Sequence, residues 1–88
     1  MAYRVDLTPR AAKELERLPQ GIRKRVGRWL DLLARDPRCQ ASKKLEGAKD
    51  LYRVHAGKDY VIVYTIADDV VLVLVVRVAH HREAYQRL

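Results

Sequence analysis

The chain falls into two blocks with different hydrophobic periods. Tyr3, Val5 and Leu7 alternate with Arg4 and Asp6, the period of two expected of a half-buried strand. Thr8-Pro9 then predicts a helix start, with Thr8 as N-cap and Pro9 at the first helical position, where its missing N–H costs nothing. Ala11, Ala12, Leu15 and Leu18 form one helical stripe, which Pro19 and Gly21 break. Ile22, Val26, Trp29, Leu30 and Leu33 form a second, at spacings of three and four. Asp36-Pro37 closes it, because proline disfavours a helical residue before it. So short a connection predicts an antiparallel helical hairpin. Its outer faces carry Arg10, Lys13, Arg17, Arg23, Lys24, Arg25, Arg28 and Arg35, partly balanced by Glu14, Glu16 and Asp31.

The second block has strand character. Residues 52–56 predict a strand, Gly57-Lys58 a turn and residues 59–67 a longer strand. Asp68-Asp69 predicts a tight turn. Residues 70–78 are nearly all apolar, as expected of a central strand covered on both faces. These three strands make an antiparallel meander, beside which the opening strand can pair. The predicted fold is α+β, in the order β-α-α-β-β-β, with both helices on one face of a four-stranded sheet and a short C-terminal tail. Residues 1–88 read as a single domain, without repeat or linker.

Alternation assigns the faces. Tyr52, Val54 and Ala56, with Tyr60, Ile62, Tyr64 and Ile66, point to the helices. Arg53 and His55 share the other face with Val61, Val63 and Thr65, and this face is left free. On the last strand Arg77 shares a face with Val71, Val73 and Val75. The tail carries His80, His81, Arg82 and Tyr85.

Charge adds a partner class. The net charge of +7 and a sequence pI of about 9.9 point to a polyanion, whether nucleic acid, an anionic membrane or an acidic protein. The longest apolar run, Val70 to Val76, is far too short to span a membrane. No signal-peptide pattern is expected at the N-terminus, so the reading is a soluble, cytoplasmic protein. A lone Cys39 supports neither a disulfide framework nor a cysteine metal cluster.

Arginines, histidines and a tyrosine would meet if the tail folds back onto the open face. RNA cleavage through the 2′-hydroxyl needs such a set: a base, an acid, and cations for the charged phosphorane. Histidine can do either proton job near neutral pH, and arginine clamps phosphate oxygens in pairs. His55 with His80-His81 also suggests metal ligands. No regular His-x3-His spacing and no firmly placed carboxylate accompany them, so neither a metal nor a cofactor is expected.

Three segments now carry a resemblance. They are Lys44-Leu45-Glu46-Gly47 with Leu51-Tyr52-Arg53-Val54, then Asp59-Tyr60-Val61-Ile62-Val63-Tyr64, then Val76 to Tyr85. Together with Tyr3-Arg4-Val5 and Ala11 to Pro19, they resemble the RelE/ParE toxin superfamily over nearly the whole chain. The stretch around His80-His81-Arg82-Glu83-Ala84-Tyr85 is the most specific part. The resemblance implies a toxin of a toxin–antitoxin pair. In the RelE branch that means an endoribonuclease cutting messenger RNA in the ribosome without a metal. In the ParE branch it means a poison of DNA gyrase. An acidic antitoxin wrapped over the toxin is implied in either branch.

Carried over by position, the catalytic residues fall on Arg53, His55, His81 or Arg82, and Tyr85. Lys43, Lys44, Lys58, Arg77 and His80 are expected to bind RNA around them. The base would be Tyr85 or a histidine, and the acid His81 or His55. The chain departs from the family where an arginine commonly follows the tyrosine of "GDYR", since Val61 stands there. Lys58 lengthens that turn, Ala79 replaces a glycine, and histidine replaces a cation at position 55 and at 81. The loss at Val61 favours a gyrase-binding alternative. A third reading is a basic subunit of an antitoxin repressor complex.

Overall fold

In the computed structural model, which describes residues 2–47 and 50–86, the chain runs β1 (Arg4–Leu7), α1 (Pro9–Glu16), α2 (Gln20–Arg35), β2 (Lys43–Lys44), β3 (Leu51–His55), β4 (Tyr60–Ala67), β5 (Leu72–His80) and α3 (His81–Ala84). Thr8 caps α1 as expected, its hydroxyl accepting the Ala11 N–H at 3.2 Å. Such a cap stabilises a helix by about 1 kcal/mol. The break falls at residues 17–19, with Pro19 at the N-cap of α2 and Gly21 inside that helix.

The sheet has five strands, not four, in the order β1-β5-β4-β3-β2. The extra strand is Lys43–Lys44, paired antiparallel with β3. Two lysines have no apolar alternation, so periodicity could not reveal them. β1 pairs parallel with β5, which puts the apolar β5 between two neighbours, as its composition predicts.

Ala11, Val26 and Leu33 from the helices meet Val54, Ile62, Tyr64, Val73 and Val75 in the main core. Ala12 is exposed, so the first stripe is narrower than expected. Alternation holds along β3 and β4 and fails on β5. Val63 pairs with Arg77 but Tyr64 with Val75, leaving Val76 as an extra residue. This bulge flips the strand. Val73, Val75 and Val78 face the helices, whereas Arg77 lies opposite Val63 on the other face. The expectation that Arg77 shares a face with Val73 and Val75 is corrected by this one residue.

The expected tight turn at Asp68-Asp69 is a 3-10 turn over Asp68–Val70. It ends on Val71 at φ 53°, a left-handed conformation that strains a β-branched residue by about 1–3 kcal/mol. The Asp68 carboxylate secures the turn. It accepts a fork from Arg38 at 2.9 and 2.8 Å and the Tyr3 hydroxyl at 2.8 Å. Hydrogen bonds from Arg38 first, then Tyr3, hold the Asp68 pKa down at about 2. Nearby, the buried Tyr64 hydroxyl donates to the Pro37 carbonyl at 2.7 Å, and burial pushes its pKa up to about 12. Among the described residues no helix is long and apolar enough to cross a membrane.

Candidate functional site

The sheet face away from α1 and α2 is built in rows by the strand register. Lys43, Arg53, Val63 and Arg77 stand opposite one another across β2, β3, β4 and β5. His55, Val61 and Ala79 form the next row. The face was expected to be free, but part of it carries a second small core. Val61, Val63, Ala79 and Ala84 are buried together there, with Leu45, Leu51 and Val76 against them. Ala84 belongs to α3, so the tail does fold back onto the sheet. Val61, at the position of the family arginine, is wholly buried in this cluster.

Arg77 locks the tail in place. Only 4% exposed, it pairs with Glu14 of α1 through Nη2 at 2.8 Å and Nε at 3.0 Å. Its Nη1 donates to the carbonyls of Glu83 and Gln86 at 3.1 and 3.0 Å, at the C-terminal end of α3, where a cation is favoured. Glu14 also accepts the Val78 N–H at 2.9 Å, satisfying β5 beyond the end of β1. Arg77, expected among the RNA-binding cations, is thus turned inward and tied to protein partners. Glu14, expected on the outer face, is its partner. Glu14 lies three residues after Ala11 and next to Leu15, at the margin of the apolar stripe, and that position was the available signal.

Four of the groups that remain outward-facing converge. His55 is exposed, yet its pKa is lowered, first by desolvation and then by the positive charge of Arg53, His81 and Lys43. Four sequence-predicted residues therefore lie within electrostatic reach on one face. His81 begins α3, and its N–H donates to the Asp59 carbonyl at 2.7 Å. The His80 and His81 rings stack at 4.5 Å, and His80 meets the Tyr60 ring edge-on at 5.9 Å. Arg82 is exposed, with its N–H donated to His80 Nδ1 at 3.3 Å. Tyr85 is 42% exposed.

Two predicted residues stand apart. Lys44 pairs with Tyr52, whose ring packs on the main core, so it lies on the opposite face from Arg53. Lys58 is exposed in the bend before β4. A carboxylate does stand beside the histidines: potential ligand atoms of Asp59, His80 and His81 lie within 4.8 Å of one another.

The profile of the ParE toxin of type II toxin–antitoxin systems, parDE, matches residues 5–85. The chain belongs to the RelE/ParE toxin superfamily. Within that superfamily it is 34% identical over 79 residues to the mRNA interferase toxin RelE of Escherichia coli K12, covering 89% of this chain and 82% of that protein. The archaeal RelE–RelB complex from Pyrococcus horikoshii OT3 contains a chain that superposes with a TM-score of 0.80 at 28% identity, over 96% of this chain and 100% of that one. The isolated E. coli RelE toxin superposes with a TM-score of 0.79 at 32% identity, over 90% and 84% of the two chains.

Proposed function

We propose that this RelE/ParE-superfamily toxin is an endoribonuclease that cleaves messenger RNA on the ribosome. The observation that carries the reading is the convergence of Lys43, Arg53, His55 and His81 on one face. The likeness to proteins named mRNA interferases supports it. In the proposed reaction the RNA 2′-hydroxyl attacks the adjacent phosphorus, its proton leaves to a base, and the departing 5′-oxygen gains a proton from an acid. His55, whose lowered pKa favours the neutral ring at pH 7, is suited to accept the proton. His81 is suited to donate one. Arg53, Arg82 and Lys43 would hold the phosphorane charge, and Tyr85 would stack on a base or move a proton. No step in this route is assigned to a metal. Arg77 acts as a positioning residue, holding α3, with His81 and Arg82, and the Tyr85 that follows it.

The test is a defined message in a purified translation system, mapped by primer extension. Cuts that require the ribosome and vanish with Tyr85→Phe are expected; an intact message would overturn the reading. The burial of Val61 where the family often has arginine favours a second reading, a gyrase poison without chemistry of its own. Loss of supercoiling activity with RNA left whole would select it. Under either reading the chain pairs with a cognate antitoxin, as relatives captured with RelB do. The net charge of +7 suits an acidic one.

A further inference from the structure

The cluster at the start of α3 has a chemistry that RNA cleavage does not use. We propose that Asp59, His80 and His81 form a site for one zinc-class ion, and that the bound ion withdraws His81 from the RNA-facing set. The second half of this proposal rests on the cleavage reading; the first does not. Two imidazoles and one carboxylate are the donors zinc takes in open, three-ligand sites, with water completing the tetrahedron.

The backbone brings the donors together. Tyr60 pairs with His80 across β4 and β5, and the His81 N–H is bonded to the Asp59 carbonyl at 2.7 Å, so the two chain ends cannot part. The ligand atoms already lie within 4.8 Å of one another, and bonds of about 2.0 Å require donors roughly 3.3 Å apart. Asp59 and His81 are exposed and His80 is half-buried, so modest side-chain rotations can close that gap. The local costs are the long 3.3 Å bond from the Arg82 N–H to His80 Nδ1 and the 3.4 Å contact between His81 Nδ1 and the Asp59 carbonyl.

Arg53 and Lys43 share the neighbouring surface and disfavour any cation. A single carboxylate among them would not hold magnesium or calcium, which want several oxygen ligands. Imidazole-preferring ions keep their advantage. The ion would compete directly with proton transfer, because His81 cannot hold the metal and a mobile proton on the same nitrogen.

Zinc chloride titrated calorimetrically into the intact protein decides the first half. One ion per chain is expected, with binding weakened at least about tenfold in Asp59→Asn and in His80→Ala, both keeping the wild-type circular dichroism spectrum. Absence of binding, or binding that survives both substitutions, overturns the site. Cleavage assays decide the second half. Zinc should inhibit the wild type, chelator should restore it, and Asp59→Asn should cut RNA at the wild-type rate with or without zinc. Zinc that binds the wild type and leaves its cleavage rate unchanged overturns the withdrawal of His81.

Discussion

The two faces of the sheet solve different problems with similar residues. The helix-side face is a continuous apolar core in which polar groups are few and bonded, as Tyr64 is to Pro37. The other face is divided. A small apolar cluster under α3 adjoins a basic region of Lys43, Arg53, His55 and His81. Two arginines one strand apart from Val63 make the contrast plain. Arg77 is buried against Glu14 and the end of α3, whereas Arg53 stands beside Lys43. One arginine is committed to architecture, and the other lies partly exposed on the basic side of the face.

The largest test of that contrast is Glu14→Ala or Arg77→Ala. Either leaves a mostly buried charge without its partner and should destabilise the fold by about 3–5 kcal/mol in urea denaturation. Arg53→Ala should leave the unfolding free energy measured in urea within about 0.5 kcal/mol of wild type while RNA cleavage falls about 100-fold, if Arg53 stabilises the phosphorane. Equal stability losses at the two positions would erase the distinction between them.

Val61→Arg sharpens the comparison from the other side. It restores the family's residue but pushes a cation into the cluster with Ala79 and Ala84. The expected cost is about 1–3 kcal/mol, accompanied by faster proteolysis of the tail as α3 lifts. Unchanged stability would mean that the second core is not tightly packed. Tyr64→Phe, on the helix side, should cost about 1 kcal/mol by leaving the Pro37 carbonyl unbonded.

The smallest effect concerns pH. The Asp68 pKa is held at about 2, below its ordinary value of 3.8. A depressed carboxylate stabilises the fold above its unfolded pKa, and that contribution is lost as pH falls through the folded one. Asp68→Asn should therefore lower the melting temperature slightly at pH 7. It should also flatten the wild-type decline between about pH 4 and pH 2. Parallel melting curves for the two proteins across that range would refute the clamp at this turn.

Much of the fold is legible in the sequence. Periodicity located both helices and the three long strands, because burial on one face imposes a repeat of 3.6 or 2 on the chain. It also placed Arg53 and His55 opposite the helices, and the family segments named the superfamily. Periodicity is a local signal, however, and local signals end where partners are distant. Lys43–Lys44 becomes a strand only because β3 has an edge to offer. The face of Arg77 depends on one bulged residue, Val76, which alternation cannot see. Glu14 reads as surface charge until the end of β1 leaves the Val78 N–H without a strand partner. Asp59 comes beside His80 and His81 only because the β4–β5 register closes there, at residues about twenty apart in sequence. The sequence by itself determined the elements, their order and the chemistry available. Tertiary structure decided which cations hold the fold together and which stay on its surface, because that choice rests on contacts between segments far apart along the chain.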